Sequence, residues 1–172
     1  MWFGLGMRCR DVSRILISLG ALSNSAISVM VKRAIKQPRP LSTCNALGKC
    51  GKFGMPSSHA QVMAFAVATA ILMHLHRRWL RRSLNLSASS AIEVLELVGL
   101  GLVTGLVSVG RVYLGYHSAM QVVAGLLLGA GWGSIWFVLL ASLHKSGATS
   151  LIQSVMRPAL PLRNDWMSPY KM

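Results

Sequence analysis

Apolar residues gather into four long blocks, and the polar and basic residues fall between them. Stretches free of Asp, Glu, Lys and Arg run over residues 15–31, 54–75, 97–110 and 112–144, and a helix crosses a bilayer with about 20 mostly apolar residues. The pattern predicts four spanning helices, over about 12–35, 58–76, 90–113 and 118–143. The third block reaches span length when extended back through Ala91, Glu93 and Glu96. Acids placed there lie near the helix N-terminus, where the macrodipole favours negative charge, so both read as positional rather than catalytic.

Pro38 and Pro40 stop the first helix near Gln37. Ser58, with Gln61 three residues on, reads as a capping box that opens the second. Gly115, Tyr116 and His117 make the corner between the third and the fourth. Glycines four apart, Gly101 with Gly105 and Gly125 with Gly129, predict close helix approach in lipid, and the scattered Met and Trp residues read as packing and interface anchors. Beyond residue 143, Pro158, Pro161 and Pro169 argue against another helix. The expected organisation is a transmembrane catalytic domain over 1–143 and a loosely packed cytosolic tail over 144–172.

Composition agrees with the pattern. The 172 residues are 53% hydrophobic and only 13% charged, against roughly 25% charged in soluble domains, which excludes a soluble helical domain. The formal charge of +14, with Asp11, Glu93, Glu96 and Asp165 as the only acids, points to an anionic partner or a cytosolic membrane face. Arg8, Arg10 and Arg14 precede the first span, Arg77, Arg78, Arg81 and Arg82 follow the second, and Lys145 and Arg157 follow the fourth. By alternation these lie on one side, which the positive-inside rule makes cytosolic. The loops over 36–56 and 111–117 then face the other side. Nucleic acid is not expected as a partner, because the basic residues flank spans with no aromatic platform between them. No cleavable signal peptide is expected, and the first span reads as its own anchor. Cys44 and Cys50 share the predicted non-cytosolic loop, either as a disulfide or as two free thiols, and Cys9 stands apart.

Three clusters carry the chemistry. Lys32 closes the first helix, and Arg39, held between two prolines, offers a planar guanidinium fork to phosphate oxygens. Ser57, Ser58 and His59 stand at the start of the second helix, where unpaired N–H groups and the positive dipole end favour an anion. An imidazole there can protonate a departing oxygen. Arg111 and His117 meet only because Gly115 breaks the helix between them. Gln121, at i+4 from His117, can accept the N–H of one ring nitrogen and leave the other free to attack.

Together the clusters resemble the type 2 phosphatidic acid phosphatase (PAP2) superfamily, whose pattern is Lys-x6-Arg-Pro, Pro-Ser-Gly-His and Ser-Arg-x5-His-x3-Asp. Here they read KRAIKQPRP from Lys32 to Pro40, PSSH from Pro56 to His59 and GRVYLGYHSAMQ from Gly110 to Gln121. Ser58 replaces the family's glycine, Gly110 its serine and Gln121 its aspartate. KFGMPSSHAQ, and RVYLGYH followed by a glutamine, are similar to the dolichyl-diphosphatase branch. The resemblance implies an all-α, integral membrane bundle of about four transmembrane helices with a PAP2/chloroperoxidase-like core, lacking a span that similar proteins carry before the one ending at Lys32.

It also implies hydrolysis of dolichyl diphosphate to dolichyl phosphate and phosphate at the lumenal face of the endoplasmic reticulum membrane, which recycles the lipid carrier of protein glycosylation. His117 would be the nucleophile, His59 the general acid, Lys32, Arg39 and Arg111 the phosphate clamp, and Ser57 and the Ser58 amide added hydrogen bonds. Three cations facing one phosphoryl group take the role a metal would have, and no carboxylate falls in the motifs to hold magnesium. No cofactor or metal is expected; the expected partners are a polyprenyl diphosphate and the bilayer. Two other readings stay open: another lipid phosphatase of this superfamily, acting on phosphatidic acid, sphingoid or shorter prenyl phosphates, and a catalytically inactive membrane scaffold.

Overall fold

The computed structural model describes residues 12–40, 53–85 and 91–156; Cys9, Cys44 and Cys50 lie outside them. Among the described residues there are five helices and no strand: α1 (Val12–Ile35), α2 (Ser58–Ser83), α3 (Ala91–Tyr113), α4 (Ala119–Lys145) and α5 (Ala148–Met156). The first four are long and apolar enough to cross a membrane, so the chain is an all-α integral membrane bundle. α3 shows this most plainly, with Leu95, Leu102 and Leu106 each at least 65% exposed. Exposed leucines on a spanning helix face lipid rather than water.

The core is the α2–α4 pair, and glycine creates it. A Cβ on Gly125 would come within 2.5 Å of the Ser57 carbonyl oxygen, one on Gly129 would overlap that of Gln61, and one on Gly133 would reach within 2.9 Å of that of Phe65. Both series advance by four residues, so an i, i+4 groove of α4 accepts an i, i+4 ridge of α2 with backbone against side-chain-free backbone. The numbers rise together, so the two helices run parallel and begin at the same membrane surface. On α3 the glycine reading is not met among the described residues: a Cβ on Gly99, Gly101 or Gly105 would touch none of them within 4 Å.

α1 runs antiparallel to this pair and is joined to it by polar contacts that the apolar pattern conceals. Gln61 Nε2 donates to the Asn24 backbone oxygen and to Asn24 Oδ1, both at 2.9 Å. The Ser28 and Ser58 hydroxyls lie 2.9 Å apart. Trp132 Nε1 donates to Ser23 Oγ at 3.0 Å and Trp136 Nε1 to the Leu16 carbonyl at 3.1 Å. In lipid such bonds join helices that apolar surface alone would not. They also correct one expectation, since Gln61 does not form a capping box with Ser58. The two tryptophans take the packing role expected of them.

At the opposite end α3 antiparallels α2. Glu93 lies 3.1 Å from Arg81 Nη2, 3.1 Å from His74 Nδ1 and 4.0 Å from Arg77 Nη1. Glu93 is therefore an inter-helix ion-pair partner, a stronger role than complementing a dipole. α2 runs seven residues past its predicted end at His76, because Arg77 and Arg81, one and two turns after His74, find this same carboxylate. α5 is a further correction. Its nine residues fit between Gly147, which turns the chain with φ of 77°, and Pro158, so the prolines bound the helix rather than prevent it.

Candidate functional site

Three chain segments converge where α1 ends and α2 and α4 begin. α1 stops because Lys36 takes a left-handed conformation (φ 52°), its N–H bonding the Lys32 carbonyl at 3.0 Å, a common way to end a helix. Prolines then hold the chain extended, and Arg39 is carried back over the bundle. The loop ahead of α2 is pinned on both sides: the Gly54 N–H donates to the Gln37 carbonyl at 2.7 Å and the Ser57 N–H to the Gln121 carbonyl at 2.9 Å.

The result is a cleft of about 560 Å³ lined by Val29, Lys32, Arg33, Arg39, Phe53, Ser58, His59 and His117. Five of the eight sequence-derived site residues line it. Among the described residues its walls carry three cations and no carboxylate, and the two described acids, Glu93 and Glu96, lie in the first two turns of α3. At 1.5 Å per residue, Glu93 is about 27 Å along the helix axis from Arg111. Among the described residues the positive field of the cleft is thus uncompensated by negative charge, as an anion site requires.

Lys32 donates from Nζ to the Pro56 carbonyl at 2.6 Å, which fixes the ammonium and leaves its other N–H groups for a ligand. Arg39 is half-buried and its Nε has no partner among the described residues. His59 is exposed in the first turn of α2. That turn is open: Ser57 is the N-cap residue, in extended conformation, and makes no side-chain cap bond. Its hydroxyl is buried without a partner among the described residues. The expectation placed the cap at Ser58; instead Ser58 lies inside the helix, with its hydroxyl against Ser28.

His117 is 4% exposed and 3.2 Å from Gln121 through Nδ1 and Oε1. The amide orientation follows from its neighbours. Gln121 Nε2 donates to the Pro38 carbonyl at 2.8 Å and to Gln37 Oε1 at 3.3 Å, while Oε1 faces the Ser118 N–H at 3.3 Å. A flipped amide would set oxygen against the Pro38 carbonyl oxygen. Oε1 can only accept, so Nδ1 carries the proton and Nε2 keeps its lone pair. Burial lowers the His117 pKa from 6.5 to about 4, with Arg39 and Lys32 adding to the fall and hydrogen bonds to Gln121 and the Gly54 backbone opposing it. The imidazole is neutral at physiological pH, the state a nucleophile needs.

Two assigned residues sit differently from the rest. Arg111 ends α3 beside His117, whose N–H bonds the Arg111 carbonyl at 3.1 Å. Its guanidinium lies over the Tyr116 ring, 5.2 Å from the centroid, outside the cleft lining. Gly110 faces open space, with nothing within 4 Å of an added Cβ. Sequence reasoning missed Val29, Arg33, Phe53 and the Gln37–Pro38 braces. Arg33 stood beside Lys32 in the quoted motif, and its i+4 relation to Val29 was the available sign.

The PAP2 superfamily model matches residues 14–145, which takes in all three clusters and all four spanning helices. The chain belongs to the PAP2 superfamily. Among curated PAP2 proteins it is 32% identical over 143 residues to "Dolichyldiphosphatase" of Saccharomyces cerevisiae, covering 80% of this chain and 56% of that protein. It is 34% identical over 128 residues to "Dolichyldiphosphatase 1" of Dictyostelium discoideum, covering 74% and 52%, and 30% identical over 161 residues to "Dolichyldiphosphatase 1" of Homo sapiens, covering 91% and 60%. The chain thus spans about half the length of the curated PAP2 relatives it matches. No solved structure matches it.

Proposed function

We infer that this chain is a PAP2-type lipid phosphatase that hydrolyses dolichyl diphosphate to dolichyl phosphate and phosphate through a phosphohistidine. The observation that carries this reading is His117, neutral and oriented by Gln121, at a cleft lined by Lys32, Arg39 and His59. Nε2 of His117 attacks the terminal phosphorus, and the bond from that phosphorus to the bridging oxygen breaks. The bridging oxygen leaves on the lipid phosphate and takes a proton from His59. Water then attacks the phosphohistidine, gives its proton to His59 and releases phosphate, restoring both imidazoles. Lys32, Arg39 and the open α2 amides stabilise the charge on the transferring group; Arg111 completes the clamp if it swings from Tyr116.

Each dolichyldiphosphatase named above supports this substrate by similarity. The basic end of the bundle, with Arg14, Arg77, Arg78, Arg81, Arg82 and Lys145, supports a cytosolic position for that end and a lumenal position in the endoplasmic reticulum membrane for the cleft. Such a site would return the lipid carrier to protein glycosylation. The donor set in the cleft is cationic and imidazole, with no carboxylate to hold magnesium, so hydrolysis is expected to persist in chelator.

Radiolabelled dolichyl diphosphate supplied to membranes expressing this chain tests the reading. Phosphate release that His117→Ala abolishes, with acid-labile labelling of the wild-type protein, is the expected result. Release unchanged by His117→Ala would refute it, and so would loss of activity in chelator restored by magnesium for the metal-independent step. A lipid panel including phosphatidic acid decides between this substrate and that of another lipid phosphatase.

A further inference from the structure

Among the described cations of the cleft, Arg33 has no task in the reaction just proposed. Lys32 is turned to the Pro56 carbonyl and Arg39 is half-buried, and both act on His117 electrostatically. Arg33 follows Lys32 on α1, about 100° further around the axis. It is exposed, it lines the cleft, and its side chain makes no hydrogen bond or ion pair with any described residue.

One turn earlier on the same face, at i and i+4, stands Val29, 47% exposed and also in the cleft lining. From the aqueous end inward this face of α1 presents a guanidinium with no partner among the described residues, then an aliphatic side chain, then lipid. Phe53 adds a second apolar wall. The cleft, at about 560 Å³, falls in the range of roughly 300–1,000 Å³ typical of sites for drug-sized ligands, and holds more than one phosphoryl group.

We propose that Arg33 grips the phosphate that stays on the lipid, so that the site selects diphosphates over phosphate monoesters, with the first units of the tail passing Val29 and Phe53. This rests on the reading that His117 takes the terminal phosphate. When the bridging bond breaks, its electron pair goes to an oxygen of the inner phosphate, and Arg33 stands where that charge collects. A monoester places an alkyl oxygen there instead, with no second phosphate for the guanidinium to hold. A fork donating to a phosphate is a charge-assisted bond, and the loss of one corresponds to about tenfold in rate or affinity.

The test compares polyprenyl diphosphate with polyprenyl monophosphate of the same tail in detergent, for the wild type, Arg33→Gln, Arg33→Lys and Lys36→Gln. Arg33→Gln is expected to lower kcat/KM for the diphosphate about tenfold more than for the monophosphate, and Arg33→Lys to recover part of that difference. Lys36 is an exposed cation at the same helix end that does not line the cleft, so Lys36→Gln is expected to keep the wild-type ratio. A wild type that cleaves the diphosphate with a ratio unchanged in Arg33→Gln overturns this inference alone, as does an equal shift in Lys36→Gln. A wild type that cleaves neither lipid removes the functional reading and this inference with it.

Discussion

Two helices meet the cleft with the same pattern at their start, Ser-x-x-Gln, and they use it in opposite ways. At α4, Ser118 and Gln121 form a complete capping box: the Gln121 N–H bonds Ser118 Oγ and the Ser118 N–H bonds Gln121 Oε1. At α2, the helix begins one residue after Ser57, so Ser58 falls inside it and Gln61 lies a full turn in, against Asn24. The difference comes from what each glutamine meets. α1 offers Gln61 a buried Asn and offers Ser58 a hydroxyl, and in a low-dielectric interior those partners outweigh a local cap. Consequently the α2 start keeps its amides open to an anion, while the α4 start is closed and holds an imidazole through the amide that caps it.

The comparison depends on the two starts lying side by side, and Gly129→Ala is the largest way to break it. The added methyl would overlap the Gln61 carbonyl, and backbone on both sides cannot move away. Overpacking of this kind costs about 1–3 kcal/mol or more, so thermal unfolding in detergent should show a large loss of stability together with loss of phosphatase activity. Gly101→Ala and Gly105→Ala meet open space, and should leave the protein unchanged or stabilise it by up to about 1 kcal/mol. Equal effects at all three positions would mean that glycine does not set the α2–α4 distance.

Gln121→Glu attacks the closed start. A carboxylate keeps the partner for His117 but cannot donate to the Pro38 carbonyl, which it would face with a second acceptor. An unmet buried acceptor costs about 1–3 kcal/mol, so kcat/KM should fall about tenfold or more as the Arg39 loop loses its brace. The pH profile separates this from simple misfolding. With the wild-type His117 pKa lowered to about 4, the neutral nucleophile is present at all pH values above that, and protonation removes it only below. A carboxylate beside the ring raises its pKa, so the acid limb of kcat/KM should move upward. A profile that keeps the wild-type acid limb would show that Gln121 does not govern the His117 proton.

The four spans and the three site clusters were legible because each rests on a local rule: apolar length for the helices, motif spacing for the cations and imidazoles. The bounds of α1 were read to the residue, since Pro38 leaves a helix no room to continue. What escaped was decided by partners distant in sequence. Ser58 looked like a cap because nothing in its own segment reveals Ser28 or Asn24. The end of α2 was placed at His76 because Glu93, which holds Arg81, belongs to another helix. Gln121 was read as a partner for His117, yet half of its amide serves Pro38, 83 residues earlier in the chain. Gly101 and Gly105 repeat the spacing of Gly125 and Gly129, and only packing shows which pair meets a neighbour.

Ser118→Ala should have a smaller effect than either change above. It removes one acceptor of the capping box, worth about 0.5–2 kcal/mol at an N-cap, and frees Gln121 from one of its constraints. Thermal unfolding should show the loss, with activity reduced only as far as His117 loses orientation. Ser58→Ala is the matched control. It removes the contact with Ser28 but no cap, so the two variants should separate in amide hydrogen exchange, with faster exchange confined to the start of α4 in Ser118→Ala. Indistinguishable exchange would argue that the box contributes nothing to α4.

The smallest effect is expected from Gly110→Ser, at the position where the family pattern has serine. Gly110 lies in the last turn of α3, next to Arg111, and an added Cβ meets nothing within 4 Å. The substitution is therefore free of clash, and the hydroxyl can turn back to the carbonyl one turn earlier, as Thr104 does to Leu100. Replacing glycine within a helix is worth a few tenths of a kcal/mol in propensity, so Tm should rise slightly. Catalysis should change less than twofold while the Arg111 guanidinium stays over Tyr116, because the hydroxyl would then stand beside an arginine that is not on the cleft wall. A clear rise in kcat/KM would carry the opposite lesson: substrate draws Arg111 off the tyrosine and into the clamp, and the hydroxyl joins it on the phosphate.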